Sequence, residues 1–182
     1  VAPKTCSLNC AYCECGQTTN HTSCRSRAVP AAEIISELDQ FLSCPPPLDV
    51  ITFAGSGEPT LNAELGKIIS HVKQKYPAYR TALLTNSTLL HIPEVRKELL
   101  ALDYVLPSLD AVSEDVFQKI NRPATGLSCA AILDGIQLFS AEFSGTLWIE
   151  VFIVPGMNDT GSELELLKNF LLKINLNRVQ LN

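Results

Sequence analysis

The chain has 182 residues, 46% of them hydrophobic, with 14 basic and 19 acidic side chains for a formal net charge of −5. That is enough apolar material for one sizeable core, and no apolar run approaches the roughly 20 residues of a membrane-spanning helix. The acidic excess lies in residues 103–182, with ten acidic and five basic groups against nine of each before it, which argues against a generic nucleic-acid surface.

The first segment with a chemical signature is Cys6-Ser7-Leu8-Asn9-Cys10-Ala11-Tyr12-Cys13, three thiols within eight residues. Thiolates suit iron–sulfur clusters, copper(I) and zinc. So short a loop can wrap one corner of a cubane cluster, each sulfur meeting a different iron and the fourth iron left open. Cys15 and Cys24 follow closely, so a structural zinc site on four thiols is the competing reading. A disulfide framework fits poorly: seven cysteines is an odd number, the chain is too long to need stapling, and no secretory signal is visible. A reducing, cytoplasmic setting is expected.

Strands and helices alternate from there. Ile34, Ile35, Leu38, Phe41 and Leu42 recur on one face behind an early proline and predict a helix over Pro30–Leu42. Further helices are expected at Asn62–Lys75, Pro93–Leu102, Ser128–Phe139 and Ser162–Leu172. Val50–Ala54, Thr81–Leu84, Tyr104–Leu109 and Leu147–Val154 are short, nearly unbroken apolar runs, as strands covered on both faces of a parallel sheet require. Arg178–Leu181 reads as one more strand. With no repeat or linker, a single domain over 1–182 is expected. Both ends are expected to be cut, Val1-Ala2-Pro3 leaving too little room for a strand before the cysteines. Five to six β/α units fall short of a full (β/α)8 barrel, so the fold class is α/β, a partial (β/α)6 open parallel barrel truncated at both ends.

In such folds ligands gather where strands end. Val50–Ala54 leads into Gly55-Ser56-Gly57-Glu58-Pro59, where small residues let the backbone approach a ligand, Glu58 adds an anion and Pro59 fixes the turn. An ordinary strand-to-helix turn has the same composition. The next strands end in Thr85-Asn86-Ser87 and Ser108-Leu109-Asp110-Ala111, whose polar groups suit a ribose or, for Thr85 and Ser87, a helix cap. The last turn is Val154-Pro155-Gly156-Met157-Asn158-Asp159.

The Cys-x3-Cys-x2-Cys loop, the Gly-Ser-Gly-Glu-Pro turn and the Ser-Leu-Asp-Ala segment, in this order, resemble the radical S-adenosylmethionine (radical SAM) superfamily over nearly the whole chain. Ser-Gly-Glu-Pro-Thr-Leu and Asn121-Arg122-Pro123 resemble its wyosine-synthase branch. The resemblance implies a [4Fe-4S] cluster on Cys6, Cys10 and Cys13, with S-adenosylmethionine on the open iron. It places Tyr12 against the adenine, Gly55, Ser56, Gly57, Glu58 and Pro59 at the methionine end, Asn86, Ser108 and Asp110 near the ribose and carboxylate, and Ile153 and Val154 beneath the adenine. It further implies reductive cleavage to a 5′-deoxyadenosyl radical, an electron donor such as flavodoxin or ferredoxin, and a nucleoside, tRNA or small-molecule substrate. An activase or maturase acting on a protein is the alternative within the family, and a zinc-stabilised binding module the alternative outside it. This chemistry needs no general acid or base, so His21, His71 and His91 are given no catalytic role. Cys15 and Cys24 are candidates for an auxiliary metal site, and Arg25 and Arg27 for an anionic substrate.

Overall fold

The computed structural model describes residues 4–27 and 29–182; Val1–Pro3, where the sequence left too little room for a strand, lie outside the described residues. Five strands stand side by side in chain order in one all-parallel sheet: β3 (Val50–Phe53), β4 (Arg80–Thr85), β5 (Tyr104–Pro107), β6 (Thr146–Val151) and β7 (Arg178–Leu181). Ahead of them β1 (Thr5–Cys6) and β2 (Asn20–His21) pair in parallel to one side. Of the six units expected, five therefore share the sheet, and the segment entering the cysteine loop supplies the sixth place without joining it.

The helices are α1 (Ala31–Leu42), α2 (Leu65–Lys75), α3 (Pro93–Leu99), α4 (Glu114–Ile120), α5 (Cys129–Glu142) and α6 (Gly161–Leu171). Their starts follow local chemistry. Pro93 occupies the first position of α3, where its missing N–H costs nothing. Ser128 and Thr160 accept hydrogen bonds from Ala131 N and Glu163 N as N-caps of α5 and α6. α2 starts three residues later than expected because Pro59–Leu61 form a 3₁₀ turn and the Asn62 side chain then accepts from Glu64 N at 2.9 Å.

The sheet's two faces differ. Leu83, Val105, Leu147, Ile149 and Val151 are at most 2% exposed and join Ile69, Val72, Leu99, Ile136 and Phe139 of the helices in the core. Their alternates Leu84, Tyr104, Leu106, Trp148 and Glu150 are only partly covered. The apolar runs thus reflect one face sealed by helices and one apolar face left half open, rather than two covered faces. On the open face the rings of Tyr104 and Trp148 meet edge to face at 5.8 Å, and Arg178 lies over Trp148 at 4.6 Å. Among the described residues no helix is long and apolar enough to cross a membrane.

Candidate functional site

The cysteine loop is held along its length by other parts of the chain. Leu8 is 4% exposed and belongs to the core. Asn9 N and Ala11 N donate to the carbonyls of Asn121 and Ile120 at 2.9 and 2.8 Å, at the end of α4, and Ala124 N donates to Ser7 O at 2.9 Å. On the other side Thr18 donates through Oγ1 to Leu8 O and through its amide to Asn9 Oδ1. Such bracing removes loop entropy before any ligand binds.

Gly55–Pro59, leaving β3, lie directly against the start of this loop. Glu58 N donates to Thr5 O at 3.1 Å. A Cβ on Gly57 would fall 1.9 Å from the Thr5 carbonyl oxygen, so only glycine permits the approach. The expected backbone proximity at Gly57 is present, and the neighbour it serves is Thr5. Glu58 is 2% exposed; its Oε1 accepts from Thr60 N, Thr60 Oγ1 and Thr85 Oγ1, and its Oε2 from Asn86 N at 2.7 Å. Burial pushes its pKa up while these donors pull it down. Thr85 donates to Glu58 and accepts from Ser87 N, Ser87 donates to Ser108 O at 2.7 Å, and the following helix α3 is preceded by Ile92, so neither serves as its cap.

Asn86 and Asp110 tie the strand ends to the cysteines. Asn86 Nδ2 donates to Ser7 Oγ at 2.9 Å and to Cys6 Sγ at 3.4 Å. Asp110, 5% exposed, accepts from the Tyr12 hydroxyl, from Asn121 Nδ2 at 2.8 Å and from Phe152 N at 2.9 Å. Burial raises the pKa of Asp110, of the Tyr12 hydroxyl and of the Cys6 thiol, and pushes Cys10 up to about 11. The Tyr12 ring stacks on Phe152 with centroids 4.2 Å apart and planes 2° from parallel.

These pieces surround one open cavity of about 500 Å³, within the range of small-ligand sites. Cys6, Cys10, Cys13, Tyr12, Gly55, Ser56, Gly57, Glu58, Pro59, Asn86 and Ser108 all line it, as does Phe152. Asp110 lines a smaller adjoining pocket with Cys10 and Tyr12. Val154 lines neither; its amide is bound to Asn158 Oδ1 at 2.8 Å, and Phe152 faces the cavity in its stead. Sequence reasoning missed Phe152, because nothing in an apolar run marks which member will meet a distant ring. Lys4 was missed too: it is 8% exposed with its ammonium 2.8 Å from Cys13 Sγ.

Other candidates fall away from the site. Arg25 is fixed by Thr60 O, Asn62 O and Glu98, a structural clamp rather than a free anion receptor. Cys15 reaches the cavity rim, whereas Cys24 is exposed beyond it. Among the described residues no three His, Cys, Asp or Glu side chains close in on a single-ion site. Three half-buried free thiols line one cavity, a soft donor set that fits an iron–sulfur cluster.

A family model described as the radical SAM superfamily matches residues 2–171. A UPF0026 protein of Synechocystis sp. is 42% identical over 159 residues, which cover 87% of this chain and 59% of that protein. A Brachyspira hyodysenteriae protein named GTPase Obg is 39% identical over 181 residues, covering all of this chain and 26% of its own length. Among solved structures, TYW1 with a lysine–pyruvate adduct bound has the same fold, with a TM-score of 0.66 at 18% identity over 97% of this chain and 60% of that one. The chain thus spans from about a quarter to three fifths of the length of these three proteins. With its thiol loop, its parallel sheet and a family model matching nearly all of its length, this chain belongs to the radical SAM superfamily.

Proposed function

We propose that this chain is the catalytic core of a radical SAM enzyme, with Cys6, Cys10 and Cys13 holding a [4Fe-4S] cluster and the exits of β3 to β6 holding S-adenosylmethionine. The observation that carries the reading is the convergence of three braced, half-buried thiols and four strand exits on one cavity. When bound, cluster and cofactor together supply a reductively generated 5′-deoxyadenosyl radical that takes hydrogen from a substrate.

The chain's own residues bind, orient and exclude water. Gly55–Gly57 offer backbone at the methionine end, and Glu58 holds that turn to β4 through Thr85 and Asn86. Ser108 lines the cavity where the ribose would lie, with Asn86 beside it holding the Cys6 end of the loop, while Tyr12 and Phe152 present aromatic surface for the adenine. The substrate is assigned to the half-open face of the sheet below, between Leu84, Leu106 and Glu150. A nucleoside, tRNA or small molecule is the favoured substrate class, and a flavodoxin or ferredoxin the electron donor. GTP hydrolysis is not proposed, since the chain has no Gly-x4-Gly-Lys-Ser/Thr loop to cradle phosphates.

The test uses intact, anaerobically reconstituted protein. Wild type and Cys44→Ala are expected to bind about four irons per chain and, with dithionite and S-adenosylmethionine, to release 5′-deoxyadenosine; Cys10→Ala is expected to lose both. A cluster-bearing protein that releases none refutes the catalytic reading, and a Cys10→Ala variant with full iron refutes the ligand assignment.

A further inference from the structure

Each of the three loop sulfurs has a side-chain donor of its own, and the three donors come from separate parts of the fold. Asn86, at the exit of β4, donates through Nδ2 to Cys6 Sγ at 3.4 Å. Asn121, which ends α4, donates through Nδ2 to Cys10 Sγ at 3.4 Å. Lys4, ahead of β1, places its ammonium 2.8 Å from Cys13 Sγ.

The amides are not free to turn the other way. Asn86 Oδ1 accepts from Thr88 N and Thr88 Oγ1 at 3.1 and 2.8 Å, which commits its NH₂ to Cys6 and Ser7. Asn121 Nδ2 also donates to Asp110 Oδ2 at 2.8 Å, and a carboxylate beside it fixes the amide's sense. Lys4 is stranger still. Its backbone is left-handed, with φ of 54°, a conformation that a lysine adopts only at a cost. It is 8% exposed, yet among the described residues no carboxylate pairs with it. A buried ammonium needs an anion, and a cubane on three thiolates is negative and becomes more so by one charge on reduction.

We propose that Lys4, Asn86 and Asn121 form a three-point collar of donors that raises the reduction potential of the cluster, each acting through one cysteine sulfur. This rests on the cluster assignment above. The step concerned is the transfer of one electron from an external one-electron donor into the cluster, with no proton required. Donors to sulfur stabilise the more negative, reduced state, so removing one lowers the potential. Charged donors act about twice as strongly as neutral ones, so Lys4 outranks either amide.

The test is an EPR-monitored redox titration of the intact, reconstituted protein carrying Lys4→Met, Asn86→Leu or Asn121→Leu, with iron counted in each. Lys4→Met is expected to make reduction about tenfold less favourable, a fall of about 59 mV for one electron, and each leucine variant about threefold less favourable. Lys4→Arg, which keeps charge and donor, is expected to return the potential to near wild type, a result that mere loss of packing would not give. Resonance Raman should show stiffer iron–thiolate stretches wherever a donor is lost. If one variant fails to assemble a cluster, the remaining two decide. Variants with full iron and unmoved potentials overturn the collar and leave the cluster assignment standing; a wild-type protein that binds no cluster overturns both.

Discussion

Gly57 is where the two halves of the site touch, which makes Gly57→Ala a sharp perturbation. The added Cβ would sit 1.9 Å from Thr5 O and 2.8 Å from Thr5 C, where real contacts stay above 3.0 Å. The obstacle is backbone, so the turn and β1 must separate by about 1 Å. Thr5 is 3% exposed and has little room to retreat. The movement breaks the 3.1 Å bond from Glu58 N to Thr5 O. Overpacking of this kind costs about 1–3 kcal/mol and the lost bond about 1 kcal/mol more. Against a total stability of about 5–15 kcal/mol, and with an m-value of about 2 kcal/mol/M, the urea midpoint should fall by about 1–2 M. Because Thr5 precedes Cys6, iron content after reconstitution should fall in parallel. Gly161→Ala is the control: nothing lies within 4 Å of its added Cβ, at the start of α6, so both readouts should stay near wild type. A Gly57→Ala protein with unchanged urea midpoint and full iron would refute the claim that this glycine seats the turn against the loop.

The buried thiol of Cys129 is pushed up to about 12 by its burial, with Glu114 and Glu163 nearby. Only about one molecule in ten thousand then carries the thiolate at pH 8. Native protein treated with iodoacetamide at pH 8 should therefore be labelled at the exposed Cys15, Cys24 and Cys44 and not at Cys129, with peptide mass spectrometry as the readout; early labelling of Cys129 would contradict its placement. Glu163, 4% exposed, accepts from Val112 N, Ser113 N and Ser113 Oγ. Glu163→Ala orphans two backbone donors at about 1–3 kcal/mol each, so melting should drop by about 5–15 °C, with Glu163→Gln losing less; a change within 1 °C would sink the role.

Local chemistry made much of this fold legible. β7 occupies Arg178–Leu181 as expected, and the helices behind Pro30, Pro93 and Ser128 start at or within one residue of their predicted positions. The errors have tertiary causes. β6 was expected to run to Val154 but ends at Val151, because Asp110 captures Phe152 N and Asn158 captures Val154 N, taking both amides out of the ladder. The short β1–β2 pair depends on Thr19 and Asn20 N returning to Lys4 O across fifteen residues of loop, and two-residue strands carry no periodicity to read. Arg25 looked available because a sequence cannot show that two carbonyls and Glu98 close around its guanidinium. The cysteine loop and the Gly-Ser-Gly-Glu-Pro turn stood out for the opposite reason: each is a contiguous run whose composition marks it without knowledge of the fold, and the two line one cavity.

Two buried carboxylates explain how separate strand exits become one rigid site. Glu58 binds three donors on Oε1 and one on Oε2, leaving at most one further acceptor position on Oε2. Asp110 is taken by Tyr12, Asn121 and Phe152. Burying a carboxylate is costly unless its lone pairs are filled, and each takes at least one donor from a residue that also touches or belongs to the cysteine loop. Glu58 reaches it through its own amide on Thr5 and through Asn86 on Cys6, and Asp110 through Tyr12 and through Asn121 on Cys10. A shift at either acid must therefore move a sulfur donor along with a cavity wall. That coupling makes the acids positioning residues first: they set where the thiols, the Asn86 and Asn121 amides and the Tyr12–Phe152 stack stand.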